Sequence, residues 1–96
     1  MAGKHGTPLP DRPLVYSTAW CGDCVVARRV LDHEKVDFVE VDVDHDREAA
    51  EWVRLVNHGR RSVPTILFPD GSTLTEPSAV ELRRKLADLR EAAVLA

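Results

Sequence analysis

Cys21 and Cys24 are the only cysteines in the chain, and they stand one helical turn apart in Trp20-Cys21-Gly22-Asp23-Cys24, between a short apolar run and a stretch of helical spacing. A fold that carries this pair has to deliver a strand to a helix start and hold both thiols across the first turn. Such a pair is the mark of a dithiol redox site. The thiolate, not the thiol, is the nucleophile, and the free N–H donors and positive dipole of a helix N-terminus favour it. Cys21 is therefore the expected nucleophile. Cys24, one turn deeper, is placed to attack a mixed disulfide formed at Cys21 and expel the partner, with Gly22 easing the tight ring. Asp23 sets a carboxylate beside the forming thiolate and offsets part of the dipole's effect.

Three plainer readings fit less well. Two thiols serving as small hydrophobes would not need Gly22 and Asp23 between them. A zinc site would need two further ligands from His5, His33, His45 and His58, none of which pair at finger-like spacing. A structural disulfide across so short a loop would constrain the unfolded chain little.

The chain of 96 residues is 44% hydrophobic and 30% charged, which fits one domain with a single core. Its formal net charge of -3 argues against a nucleic-acid or anionic-membrane binder, because phosphate neutralisation needs a basic surface. No apolar run reaches the length of a membrane span, and residues 1–12 lack a signal-peptide core. A cytoplasmic protein is the expectation. There cysteines are kept reduced, and a two-cysteine motif is more often catalytic than structural.

Residues 1–12, with Gly3, Gly6, Pro8 and Pro10 among polar neighbours, read as a flexible tail before a domain over 13–96. Residues 13–17 form a buried first strand and 22–33 a first helix with Cys24, Ala27 and Leu31 on one face. Residues 36–43 show period-two patterning, with Glu40, Asp42 and Asp44 as a solvated face or strand end. Asp42, Asp44 and Asp46 lack the glycine and distal glutamate of a calcium loop. Asp46 caps a second helix with Ala49, Trp52, Val53 and Val56 as its apolar stripe, and Asn57-His58-Gly59 stops it. A third strand covers 63–68 and begins at Pro64, Asp70-Gly71 makes a hairpin turn, and 72–75 form a fourth strand. Ser78 and Glu81 have capping-box spacing before a last helix whose face is Leu82, Leu86, Leu89 and Ala93. The first strand-helix-strand unit is a right-handed parallel crossover and the last two strands are antiparallel.

With the cysteine motif in this order of elements, the chain from Pro13 onward resembles the thioredoxin superfamily and its small glutaredoxin branch. Trp20-Cys21-Gly22 is similar to thioredoxins, whereas Tyr16-Ser17 and Ser62-Val63-Pro64 are more glutaredoxin-like. The resemblance implies an α/β, thioredoxin-like fold of the glutaredoxin type, a four-stranded mixed sheet flanked by three helices. It also implies a cis Val63-Pro64 bond facing the cysteines, with the Val63 backbone open to an extended thiol peptide.

The lysine that glutathione-dependent members place three residues before the nucleophile is Thr18 here, and their Gly-Gly and following Asp are replaced by Leu74-Thr75-Glu76-Pro77-Ser78. The tract Arg61-Ser62-Val63-Pro64-Thr65, with Asp70-Gly71-Ser72-Thr73-Leu74-Thr75 and Pro77-Ser78, is similar to mycoredoxins, which act on mycothiol mixed disulfides. Asp23 departs from a position often aromatic in both groups. The resemblance implies an oxidoreductase without a tightly bound cofactor or metal, using a low-molecular-weight thiol, mycothiol rather than glutathione, as co-substrate. Its partners would be thiolated or disulfide-bonded proteins and a thioredoxin or mycothiol-disulfide reductase. Cys21 and Cys24 carry the chemistry. Arg61 is expected to meet a carboxylate of the thiol, with Trp20 as an apolar wall, Val63 and Pro64 as the docking edge, and Ser72, Thr73 and Thr75 as polar contacts. Two alternatives are an electron donor to ribonucleotide reductase recycled by thioredoxin reductase, and an iron-sulfur or metal carrier through Cys21. Monothiol carriers of the latter kind have serine where this chain has Cys24.

Overall fold

The computed structural model describes residues 9–95; the tail reading for 1–8 lies outside the described residues. Seven elements follow in order: β1 (Leu14–Ser17), α1 (Gly22–His33), β2 (Val39–Asp42), α2 (Arg47–Val56), β3 (Thr65–Leu67), β4 (Thr73–Thr75) and α3 (Ala79–Glu91). They form one sheet in the order β2-β1-β3-β4, with β1 parallel to β2 and antiparallel to β3, and β3 antiparallel to β4. This is the expected thioredoxin-like arrangement of four mixed strands and three helices.

Strand alternation sorts the core into two layers. Val15 and Ile66, paired across β1 and β3, join Ala27, Val30 and Leu31 of α1 and Leu82, Leu86 and Leu89 of α3 on one face. Tyr16 and Leu67 point the other way, into Ala49, Ala50, Trp52 and Val53 of α2. Because both faces of β1 and β3 are covered, these strands are buried almost throughout rather than alternately, the polar Ser17 and Thr65 included. Among the described residues no helix is long and apolar enough to cross a membrane.

The helix starts follow local chemistry. Asp46 accepts the Ala49 N–H at 3.0 Å as the cap of α2. Ser78 and Glu81 form the full reciprocal box on α3, at 3.1 and 2.9 Å. We expect Ser78→Ala to cost about 1 kcal/mol, read as a fall in melting temperature of roughly 4–8 °C.

Several expectations are corrected. The second strand is shorter than 36–43, because Val36 turns into the core at the end of α1 while only Val39–Asp42 pairs with β1. As an edge strand it leaves Val39 exposed. Its acidic residues are exposed, as expected of a solvated face, and are paired there as well: Glu40 receives Arg28 at 2.6 Å and the Ser17 hydroxyl at 3.0 Å, and Asp42 meets His45 at 2.7 Å. Ala93 does not continue the face of α3. It adopts a left-handed conformation (φ 58°) and is exposed, turning Val94 and Leu95 back onto the core. At the other end of the chain, half-buried Leu9 lies over the hairpin, 3.4 Å from where a Cβ on Gly71 would stand.

Candidate active site

The C-terminal end of β1 feeds the cysteines directly into α1. Cys21 is the N-cap residue of that helix, with extended backbone (φ −89°, ψ 111°), so a sulfur sits where an oxygen usually caps. Its Sγ accepts the Cys24 N–H at 3.1 Å, and its thiol donates to the Val63 carbonyl at 3.5 Å. Both cysteines are free thiols, Cys21 half-buried and Cys24 fully buried. One face of Cys21 is therefore held by the helix, another by the loop before β3, and the rest is open.

Burial pushes the Cys24 thiol up to about 12, its hydrogen bond with Cys21 adds to the rise, and the Thr18 backbone and Arg28 oppose it. The stability gained by keeping Cys24 protonated is full below the ordinary thiol range and is lost as pH rises through that elevated value. At about pH 7–9 we expect iodoacetamide to label one cysteine, Cys21, with the second label appearing only in strong alkali or on unfolding. Peptide mass spectrometry checks this, and equal labelling of Cys24 in the native chain would overturn it.

The facing wall is the turn before β3. The Val63-Pro64 bond is cis, Pro64 is fully buried, and Val63 presents its carbonyl to Cys21. Trp20 stands beside the nucleophile with 91% of its surface exposed, so it packs on nothing and is open to a ligand. Two grooves flank the cysteines. One is lined by Ser17, Thr18, Ala19, Arg28, Glu40 and Asp42, the other by Asn57, His58, Arg60, Ser62, Thr75 and Glu76.

The structure thus brings Trp20, Cys21, Cys24, Val63 and Pro64 together, with Thr75 beside them, opposite Thr65 in the β3–β4 register. It separates Ser72 and Thr73. Thr73 pairs with Leu67, which pairs with Leu14 at the start of β1, roughly 10 Å of strand away from the end that carries the cysteines. Ser72 instead bonds to Asp70 within the turn. Arg61 is on the loop entering the site, but its guanidinium is already paired with Asp44, so it is not an open carboxylate receptor. Sequence reasoning missed Asn57, whose side chain bonds to Thr65 and Thr75, since its partners lie 8 and 18 residues away. Thr18, which replaces a lysine of glutathione-dependent relatives, accepts the Cys21 N–H on its carbonyl at 3.5 Å.

The glutaredoxin family model matches residues 14–72. A Mycobacterium tuberculosis protein carrying a provisional glutaredoxin name is 48% identical over 75 residues, covering 78% of this chain and 89% of that one. Mycoredoxin 1 of Corynebacterium glutamicum is 43% identical over 75 residues, covering 78% and 92%. Among solved structures, a thioredoxin-like protein superposes with a TM-score of 0.63 at 29% identity, over 76% of this chain and 97% of its own. A glutaredoxin from Archaeoglobus fulgidus gives 0.63 at 23%, over 78% and 85%.

Proposed function

The chain belongs to the glutaredoxin family, and from that premise we propose that it reduces mixed disulfides between proteins and a low-molecular-weight thiol, through Cys21. The observation that carries the proposal is the asymmetry of the pair: an accessible sulfur with a backbone donor aimed at it, beside a buried thiol held protonated.

Cys21 thiolate attacks the small thiol's sulfur in the mixed disulfide. A Cys21–S bond forms, the bond to the protein breaks, and the protein sulfur leaves as a thiolate that takes a proton from water. A second small thiol, as thiolate, then attacks the bound small-thiol sulfur, forming the symmetrical disulfide and restoring Cys21. The Cys24 N–H favours negative charge on Cys21, in the thiolate that attacks and again in the thiolate that departs when the second small thiol arrives. A dithiol branch is favoured by the placing of the two cysteines on one helical turn, with the Cys24 N–H on the Cys21 sulfur. Cys24 attacks the Cys21 sulfur as its proton passes to the departing small-thiol thiolate, which leaves a Cys21–Cys24 disulfide for an external reductant.

Mycothiol is favoured over glutathione as that thiol. The kinship with mycoredoxins supports it, and so does the engaged Arg61, because a thiol whose far end presents hydroxyls needs no free guanidinium. Ser62 lines the groove beside Val63 and offers a hydroxyl suited to such an end. The deciding experiment compares recycling by mycothiol, glutathione and thioredoxin reductase. Fastest turnover with mycothiol is expected; turnover with thioredoxin reductase and none with either small thiol would overturn the proposal in favour of a protein-disulfide donor.

A further inference from the structure

We propose that Asn57 is a positioning residue, which fixes the Val63 carbonyl against Cys21 from the end of α2; this rests on the thiol-exchange reading above. Asn57 closes the C-terminus of α2, and its side chain reaches two strands at once. Its Nδ2 donates to the Val53 carbonyl at 2.8 Å and to the Thr65 hydroxyl at 3.0 Å, and its Oδ1 accepts the Thr75 hydroxyl at 2.6 Å. The Thr65 hydroxyl donates onward to the Ser62 carbonyl at 2.7 Å. Carbonyls at both ends of the relay leave one proton arrangement only. The nitrogen of Asn57 must face Val53 and Thr65, and Thr75 must donate. Thr65 is fully buried, so its hydroxyl has to keep these partners.

The relay ends next to the nucleophile. Ser62, Val63 and Pro64 present three successive carbonyls. The first is held by Thr65, the third accepts the Glu76 N–H at 2.8 Å, and the middle one faces Cys21. With both neighbours anchored, the Val63 peptide is set before any substrate arrives, which removes an ordering cost from docking an extended cysteinyl chain. Thr65 and Thr75 are cross-strand partners, so one amide ties α2, β3 and β4 to the same turn. Asn57 need touch no substrate to act in this way.

The test uses the full chain and one cysteinyl peptide carried as its mycothiol and as its glutathione mixed disulfide. Asn57→Ala and Thr65→Val are each expected to raise KM about five- to tenfold, with kcat changed less. Iodoacetamide, too small to use the Val63 edge, should alkylate Cys21 within about twofold of the native rate. Thr65→Ser, which keeps the hydroxyl, should restore KM. Thr75→Val removes a single exposed bond and should raise KM measurably even if Asn57→Ala fails to fold. Lowered melting temperatures with KM unchanged in Thr65→Val and Thr75→Val would overturn the inference, as would no recovery in Thr65→Ser. A native chain inactive on both disulfides would instead remove the thiol-exchange reading, and the inference with it.

Discussion

Cys21→Ser is expected to abolish mixed-disulfide reduction, a loss of at least about a thousandfold in kcat/KM, whereas Cys24→Ser should retain activity within about fivefold. The difference follows from what each sulfur does. Serine at 21 can keep the contacts with the Cys24 N–H and the Val63 carbonyl, but its oxygen cannot form the disulfide on which turnover depends. Serine at 24 removes only the internal resolving step, and a second small thiol can perform that step from solvent. Steady-state reduction of a mycothiol mixed disulfide by the two variants measures the contrast. Equal loss in both would mean that the route through an internal disulfide is obligatory, and the one-cysteine scheme would fall.

Phe68→Ala should be the most damaging core truncation, costing about 3–5 kcal/mol of a total stability of order 5–15 kcal/mol. Phe68 is fully buried among residues of α1, α3 and β3, with the Lys85 ammonium 5.5 Å from its ring centre. Its backbone also closes the β3–β4 turn, donating to the Ser72 carbonyl and accepting from Gly71, each at 2.9 Å. The void would open where the hairpin joins the α1–α3 layer, and neither is free to collapse into it. Thermal unfolding followed by circular dichroism should show a fall of roughly 15–30 °C. A fall of only about 5 °C would mean that the layer repacks, contrary to this account.

Signals that act within a few residues are legible in the sequence. Cys21 opening a helix over 22–33, Asp46 capping the next and the Ser78–Glu81 box each depend on groups three or four positions apart. So did the core faces of α1 and α2. What needed the structure were relations set by packing. The exposure of Val39 follows from the edge position of β2, which its alternating sequence does not encode. Arg61 is taken by Asp44 across 17 residues, so its charge alone gave a misleading picture of its availability. The distance of Ser72 and Thr73 was in principle countable. A tight turn at Asp70-Gly71 sets Thr73 opposite Leu67, and an antiparallel pair then carries Thr75, not Thr73, back toward Pro64. The role of Asn57 had no local signature beyond that of a residue ending a helix.

The contrast between the two tryptophans turns the chain into its own optical instrument. Trp52 is sealed in the α2 layer with its ring 4.6 Å from that of Tyr16, whereas Trp20 stands in solvent next to the reacting sulfur. Their emission should separate into a blue component that iodide cannot quench and a red one that it can. The blue component will follow unfolding, and the red one will follow each change of oxidation at Cys21. Folding and redox chemistry can thus be watched in one cuvette without a label.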